Sequence, residues 1–384
     1  MSDKNLYKIP EEMKADAIRH RYIVNSVGDA NYICINRIKQ YSDLNDKMNH
    51  NVVSKMSYLD KQKSYLIDIG CSCKKYFNND LITMAYNGDE FLLSHYHSDH
   101  YNGLELIEDQ KLSLEKVYYP YIPRIYGGDN LQNQVLKYCN FANLFDLVDF
   151  KGMGMELISC IKKKNLYDFT YTPVYAGMTI FDNEYKVIWP QPTSYCTEAL
   201  AKGIAKIENE LSKDEKIHMM WENFNRIAEF DDKQVLKTTE KAITIFNNAN
   251  IDFEEYKIII DSLKDAIRKV TNRFSVCLFK EDEFLFLGDL EKEEIKHCLE
   301  RLKRDLGEVI QVDYLITPHH GTQSHYWKDI GKYVKPKYVI SSNGDQRYRR
   351  YDEQYNDLAS EMAYCTHIQD TFDSEKLRKS YFVL

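Results

Sequence analysis

Short apolar runs that end in polar residues recur along this chain of 384 residues. Runs of about four to eight residues, rich in β-branched and aromatic side chains, are typical of buried strands. We therefore predict strands at 21–24, 32–35, 65–67, 90–93, 117–119, 155–158, 185–189, 284–287, 312–316 and 338–340. Helices are predicted from about residue 103 and over 130–141.

Residues 193–271 have a different pattern. This stretch contains no proline and only one glycine, Gly203, and four of its segments carry apolar residues at helical spacing. We predict a helical insertion in an α/β unit, which divides the chain into 1–192, 193–271 and 272–384. The spacing is compatible with a lid over a site and equally with a surface for a protein partner or a second copy of the chain.

The densest polar cluster follows the predicted strand 90–93. His95, His97, Asp99 and His100 lie within six residues, and imidazole and carboxylate groups are common ligands of transition metals. Scattered surface histidines are the alternative interpretation. The context argues against it, because other predicted strands also end in polar residues, namely Asp68, Asp289, His319, His320 and Asn343.

Composition narrows the class of protein. The net charge of −8 argues against a protein that coats long nucleic acid through a general basic field. It leaves room for a local basic patch, such as the one around Arg347. No apolar run approaches the roughly 20 residues needed to cross a bilayer, so no membrane association is expected. The nine cysteines have no CxxC spacing, which indicates a reduced, cytoplasmic chain.

The order of the polar clusters resembles that of a known family. Asp68, the His-x-His-x-Asp-His run from His95, Gly288-Asp289 and His319-His320-Gly321 occur in the order of the metallo-β-lactamase fold. The chain looks most like the soluble competence-type domains of bacterial DNA-uptake channel proteins and related phosphodiester-cleaving hydrolases. The resemblance covers about 22–192 and 272–384, and it implies an αββα sandwich with 193–271 as an insertion.

The resemblance implies a site for two divalent ions, Zn²⁺ or Mn²⁺. His95 and His97 would bind the first ion, Asp99 and His100 the second, and Asp289 would bridge them. The turn at 318–321 would supply a further ligand, and His320 is favoured over His319. Asp68 would orient a ligand histidine from behind. Many family members add another histidine near 187–190; its absence here favours the phosphodiesterase branch.

We therefore predict a hydrolase that cleaves phosphodiester bonds in nucleic acid or a nucleotide through a metal-activated hydroxide. Catalytic roles are expected for Asp99, Asp289 and His325, and substrate contacts for Ser275, Asn343 and Arg347. One alternative is a hydrolase of the same fold that acts on a lactone, thioester or β-lactam. Another is a nucleotide- or protein-binding module in a bacterial DNA-processing or defence system.

Overall fold

The structure of this chain is a computed structural model. It describes residues 17–25, 27, 30–40, 61–71, 77–121, 138, 141, 155–192, 194–227, 253–344, 350–366 and 381–383. Among these residues, no helix combines the length and the apolar character that crossing a membrane requires.

The first of two seven-stranded sheets is built mainly from the first half of the chain. Its strands are β1 (Ala17–Asn25), β2 (Ile33–Gln40), β3 (Lys61–Ile67), β4 (Glu90–Leu92), β5 (Lys116–Pro120), β6 (Thr170–Val174) and β14 (Tyr381–Val383). They lie in the order β14-β1-β2-β3-β4-β5-β6. The pairs from β3 to β6 are parallel, and those from β14 to β3 are antiparallel.

The second sheet is built mainly from the last third of the chain. Its strands are β7 (Thr179–Ile180), β8 (Tyr185–Trp189), β9 (Cys277–Lys280), β10 (Asp282–Phe286), β11 (Ile310–Ile316), β12 (Val334–Ser341) and β13 (Met362–Cys365). They lie in sequence order, parallel from β10 to β13 and antiparallel from β7 to β10. The chain is therefore an α/β protein with two mixed sheets.

Six α-helices are described. They are α1 (Asn79–Tyr86), α2 (Met155–Lys164), α3 (Ser194–Leu211), α4 (Glu215–Ile227), α5 (Phe253–Asn272) and α6 (Lys292–Leu306). The strand predicted at 155–158 is wrong. The apolar run continues to the buried Ile161 at helical spacing, and three lysines in the last turn of α2 suit the negative end of a helix dipole.

Two other helix predictions have different outcomes. The helix expected from residue 103 is a short 3₁₀ helix, Asn102–Leu106. The helix expected over 130–141 falls almost entirely outside the described residues.

Alternate apolar side chains along the strands belong to two different cores. Tyr65 and Ile67 of β3 belong to a core shared by both sheets, in which Tyr22 stacks on Phe284 with ring centroids 4.7 Å apart. Leu66, between them in sequence, belongs to a second core that includes buried residues of the helices. Successive side chains on a strand point to opposite faces, so the sheets face each other and helices cover their other faces.

The helices of 193–271 pack onto the rest of the chain. Buried side chains of α3, α4 and α5 belong to the same apolar core as those of α6. Helix α3 lies close against α5 at Gly203, where an added Cβ atom would overlap the Val270 side chain. The insertion therefore shares its core with the α/β unit.

Candidate metal centre

Five of the predicted site residues are collected at one edge of the two sheets. Asp68 follows β3, His95 and His100 follow β4, Asp289 follows β10, and His320 follows β11. In these parallel strands the carboxyl ends point the same way, which brings residues that are distant in sequence into one cluster.

The Asp289 carboxylate lies at the centre of this cluster. Its Oδ2 is close to the Nε2 atoms of four histidines, at 3.5 Å from His320, 3.6 Å from His100, 3.7 Å from His95 and 3.8 Å from His319. A tetrahedral ion with bonds of about 2.0–2.1 Å separates its ligand atoms by about 3.3–3.4 Å. The spacing around Asp289 is thus close to that of ligands around one ion.

The ligand atoms form two neighbouring groups. His95, His100 and Asp289 make one, and Asp99, His100 and His320 make the other; in each group the atoms lie within 4.8 Å of one another. His100 belongs to both groups, whereas the resemblance assigned it to the second ion alone. Either buried group could hold a metal ion.

Several atoms of the cluster are buried without a hydrogen-bond partner. They are both carboxylate oxygens of Asp289 and the Nε2 atoms of His95, His100 and His320. An unpartnered buried polar group costs about 1–3 kcal/mol and a charged group more, so such atoms are rare in folded proteins. Their convergence fits a cation that they would coordinate together. Nitrogen and oxygen donors of this kind suit Zn²⁺ or Mn²⁺.

Hydrogen bonds on the far side of the imidazole rings orient the ligand atoms. His320 Nδ1 lies 2.6 Å from the Ser342 carbonyl oxygen, which can only accept, so Nδ1 carries the proton and Nε2 the lone pair. His100 Nδ1 donates to Asp68 Oδ2 at 2.6 Å. Asp68 therefore lies behind a cluster histidine, as the resemblance implies, and it fixes the ring as carboxylates behind metal ligands do.

Ser94 links Asp68 to a second cluster histidine, His95. Its hydroxyl donates to Asp68 Oδ2 at 2.7 Å, and its oxygen is then an acceptor for His95 Nδ1 at 3.2 Å. The Ser94 backbone N–H donates to Asp68 Oδ1 at 2.7 Å. One buried carboxylate thus holds two cluster histidines, one directly and one through a serine.

The electrostatics of the cluster favour a cation. Burial raises the pKa of the Asp289 carboxyl, but the surrounding histidines outweigh burial and hold that pKa well below its usual range. Burial lowers the pKa of His100, yet Asp68, Asp289 and Asp99 together raise it well above normal. A cation bound at Nε2 of His100 would compete with a proton for that nitrogen.

The turn between β11 and β12 has an unusual backbone. His319, His320 and Gly321 have φ angles of 45°, 61° and 80°, all in the left-handed region. Non-glycine residues there cost of order 1–3 kcal/mol each and are concentrated at functional sites. The turn directs His320 into the cluster and leaves the His319 side chain 14% exposed.

His325, predicted to be catalytic, lies behind His319. Its Nε2 is 2.7 Å from His319 Nδ1 and 3.4 Å from Glu291 Oε1, and its side chain is buried. Hydrogen bonding to His325 helps to hold the pKa of Glu291 below normal, although burial raises it. Glu291 was missed by the sequence reasoning; its position two residues after Asp289 was the available signal.

His97 is buried beside His95 but lies in neither group of converging atoms. The ring centroids of His95 and His97 are 4.5 Å apart, and His97 Nε2 is 2.6 Å from the Thr271 hydroxyl oxygen. Burial lowers the pKa of His97 to about 4, so its imidazole is neutral near pH 7. Thr271 lies on α5, and no motif in the sequence indicates this contact.

The three predicted substrate contacts have different positions. Ser275 is fully buried, and its hydroxyl has no hydrogen-bond partner. Asn343 is also buried; its Nδ2 donates to the His320 carbonyl oxygen at 3.3 Å, so it supports the histidine turn. Arg347 lies outside the described residues.

No protein-family model matches this chain, and no curated protein does either.

Proposed function

We propose that this chain is a metal-dependent hydrolase of the metallo-β-lactamase type that cleaves phosphodiester bonds in nucleic acid or a nucleotide. The observation that supports it is the set of buried, unpartnered atoms around Asp289, which come from both sheets and converge at ligand spacing. The two-sheet α/β architecture and the order of the motifs along the chain support the same fold class.

The arrangement of two neighbouring groups favours a phosphodiester. Asp289 Oδ2 lies 3.5–3.7 Å from ligand nitrogens of both groups, and a pair of neighbouring ions held by these groups would suit the charge on phosphoryl oxygens. When bound, the ions would lower the pKa of a water molecule and polarise the phosphoryl group. His95, His100, Asp289, Asp99 and His320 are the residues that would hold them.

The exposed side of the cluster is where a substrate would enter. The side chains of His95, His100, His320 and Asp289 are fully buried, whereas that of Asp99 is 18% exposed. His319 is exposed to a similar extent. A scissile phosphate would therefore approach between Asp99 and His319.

Among the partly exposed residues, His319 can transfer a proton. The contact between its Nδ1 and His325 Nε2 fixes the ring, and Glu291 holds His325 in turn. The Nε2 atom of His319 faces the Asp289 side of the cluster, where the leaving oxygen would need a proton. This assigns His319 the acid role and gives His325 a positioning role.

Hydrolysis of bis(p-nitrophenyl) phosphate tests the proposal. We expect turnover by metal-stripped protein refilled with Mn²⁺ or Zn²⁺, and a loss of at least about 100-fold in Asp289→Ala because the central ligand is removed. Asp329→Ala is the matched control, since Asp329 pairs with Lys332 at 2.7 Å and touches no cluster residue.

Two results would count against the proposal. One is a protein that binds both ions yet hydrolyses no phosphodiester and turns over a lactone or thioester. The other is turnover that Asp289→Ala retains, which would place the reaction outside this cluster. DNA, RNA and cyclic nucleotides are then compared as substrates of the active protein.

A further inference from the structure

Exposed apolar side chains are concentrated around β6, the last strand of the first sheet. Eight large apolar side chains are exposed in the described part of the chain, and four of them lie within residues 166–175. These four are Leu166, Tyr167, Tyr171 and Tyr175. Single exposed apolar residues are ordinary on a protein surface, whereas a cluster of them indicates an interaction site.

Tyrosine rings from two neighbouring strands meet in this region. The ring of Tyr171 lies beside that of Tyr119 with centroids 6.4 Å apart, and the rings of Tyr175 and Tyr121 are 5.4 Å apart. Tyr171 is 43% exposed and Tyr175 is 38% exposed, while their two neighbours are partly buried. We call these four residues the tyrosine strip. It presents aromatic rings to solvent along the edge of the sheet.

One end of the tyrosine strip lies at the edge that carries the histidine cluster. Tyr121 and Tyr175 directly follow the carboxyl ends of β5 and β6, and these strands run parallel to β3 and β4. The residues after β3 and β4 belong to the cluster. Tyr96 of the His-x-His-x-Asp-His run also donates to the Pro120 carbonyl oxygen at 3.2 Å. The strip therefore begins beside the candidate metal centre.

A lysine lies at the other end of the tyrosine strip. Lys162, in the last turn of α2, has its Nζ 5.5 Å from the centroid of the Tyr171 ring. The neighbouring Lys163 pairs with Asp109 at 3.0 Å, but Lys162 forms no ion pair with any described residue. The charge of Lys162 is therefore free to attract an anion that lies along the strip.

Single-stranded nucleic acid has the chemistry that fits this surface. Its bases stack on aromatic rings whatever their sequence, and its phosphates pair with lysines. Stacking needs no extended basic field, so it is compatible with the net charge of −8. In a duplex the faces of the bases are covered by their neighbours. An added protein strand is disfavoured, because Pro173 removes a backbone donor from the edge strand β6.

We propose that the tyrosine strip binds the bases of a single strand of DNA or RNA and places its phosphodiester bonds at the metal centre. The proposal rests on the proposed function and narrows its substrate from nucleic acid or a nucleotide to a single-stranded polymer. Bases stack on Tyr121 and Tyr175 beside the cluster and on Tyr171 further along β6. Lys162 contacts a phosphate at the far end of the strip.

Substitutions of the exposed tyrosines test the role of the rings. Tyr171→Leu and Tyr175→Leu remove a ring but keep an apolar side chain, whereas Tyr175→Phe keeps the ring. Tyr333→Leu is the matched control. The Tyr333 ring also lies beside a lysine, with Lys303 Nζ 4.9 Å from its centroid, but Tyr333 precedes β12 and so lies at the edge opposite the metal centre.

Fluorescence anisotropy measures binding of a labelled single strand of about 12 nucleotides. Metal-stripped protein is used so that the strand is not cleaved. We expect Tyr171→Leu and Tyr175→Leu to bind about 10- to 100-fold more weakly than the wild type, the usual effect of losing one stacked base. Tyr175→Phe and Tyr333→Leu should bind as the wild type does. Lys162→Ala should reduce the slope of log affinity against log salt concentration by about 0.7.

Wild-type affinity for the single strand in both leucine variants would overturn the inference. So would a duplex of the same sequence that binds the wild type as tightly as the single strand does. Neither result bears on the hydrolysis of bis(p-nitrophenyl) phosphate, so the proposed function would stand. A wild type that binds the single strand through the tyrosine strip but hydrolyses no phosphodiester would instead overturn the proposed function and leave the strip as a binding surface.

Discussion

The two adjacent histidines of the 318–321 turn have different surroundings. His320 donates from Nδ1 to the Ser342 carbonyl oxygen and turns an unpartnered Nε2 into the cluster. His319 is partly exposed, and its Nδ1 contacts His325. The left-handed backbone at both residues is what separates their side chains, so neighbours in sequence are assigned ion binding and proton transfer respectively.

Alanine substitution should separate these two roles. His320→Ala is expected to weaken ion binding by about 100-fold or more, because a ligand is lost. His319→Ala is expected to retain both ions, since His319 is absent from the two converging groups, and to lower kcat by about 10²–10⁴, the range for a general acid. Metal content after dialysis and kcat at saturating metal are the measurements; equal metal loss in both variants would refute the division.

At the scale of elements, the loop carrying Asp99 and His100 is placed by close backbone contacts with the residues after β3. Ile69 N–H donates to the His100 carbonyl oxygen at 2.8 Å. A Cβ atom at Gly70 would overlap the Asp99 carbonyl. Gly70 thus allows the segment after β3 to support the one after β4, because it has no side chain.

We expect Gly70→Ala to displace Asp99 and His100 and to weaken ion binding by at least about tenfold while the sheets persist. Gly177→Ala is the control: it places alanine at a φ of 100°, where strain lowers stability, but no atom lies within 4 Å of the added methyl group. Zn²⁺ titration and circular dichroism of both variants check this. Wild-type affinity in Gly70→Ala would show that the loop adjusts freely.

Several strands could be predicted from the sequence alone. Strands such as β3, β10, β11 and β12 were predicted correctly, because a buried strand needs a short continuous apolar run and its polar end is visible in the sequence. Helix α2 was mistaken for a strand because residues 155–158, three of which are apolar, fit both periods.

Contacts across the fold could not be predicted. The candidate cluster was visible as residue types, but the bond from His97 to Thr271 and the placement of His325 behind His319 depend on how distant segments pack. A sequence period carries no information about such pairs. The sharing of His100 between two groups was missed for the same reason.

At the scale of the whole molecule, a buried carboxylate joins the insertion to the α/β unit. Glu294 of α6 accepts from the Tyr195 hydroxyl of α3 at 3.3 Å, and Arg273 lies 3.6 Å away, just after α5. Its other oxygen, Oε2, has no hydrogen-bond partner. Burial, and then nearby Glu291 and Glu293, raise the pKa of Glu294 to about 7 although Arg273 lowers it.

This raised pKa predicts how stability depends on pH. Between the ordinary value of 4.5 and about 7, the folded chain keeps a proton on Glu294 that the unfolded chain releases. The contribution to stability is therefore full below pH 4.5 and is lost as pH rises through 7. Each pKa unit corresponds to about 1.4 kcal/mol, so the loss reaches about 3 kcal/mol at most.

Urea unfolding of metal-free protein at pH 5 and pH 8 measures this loss. The side chain stays neutral in Glu294→Gln. We therefore expect the free energy of unfolding of this variant to change less between pH 5 and pH 8 than that of the wild type, by up to about 3 kcal/mol. If the free energy of unfolding of the variant depends on pH as strongly as that of the wild type, groups other than Glu294 cause the effect.

The position of the cluster also has a mechanical consequence. Asp68, His95 and His100 follow strands of one sheet, while Asp289 and His320 follow strands of the other. No disulfide joins these layers in the described part of the chain. An ion held by both sets of ligands would act as a removable cross-link between the two sheets, closing a long loop as a disulfide does. The same atoms assigned to hydrolysis would then also hold the two layers together at that edge.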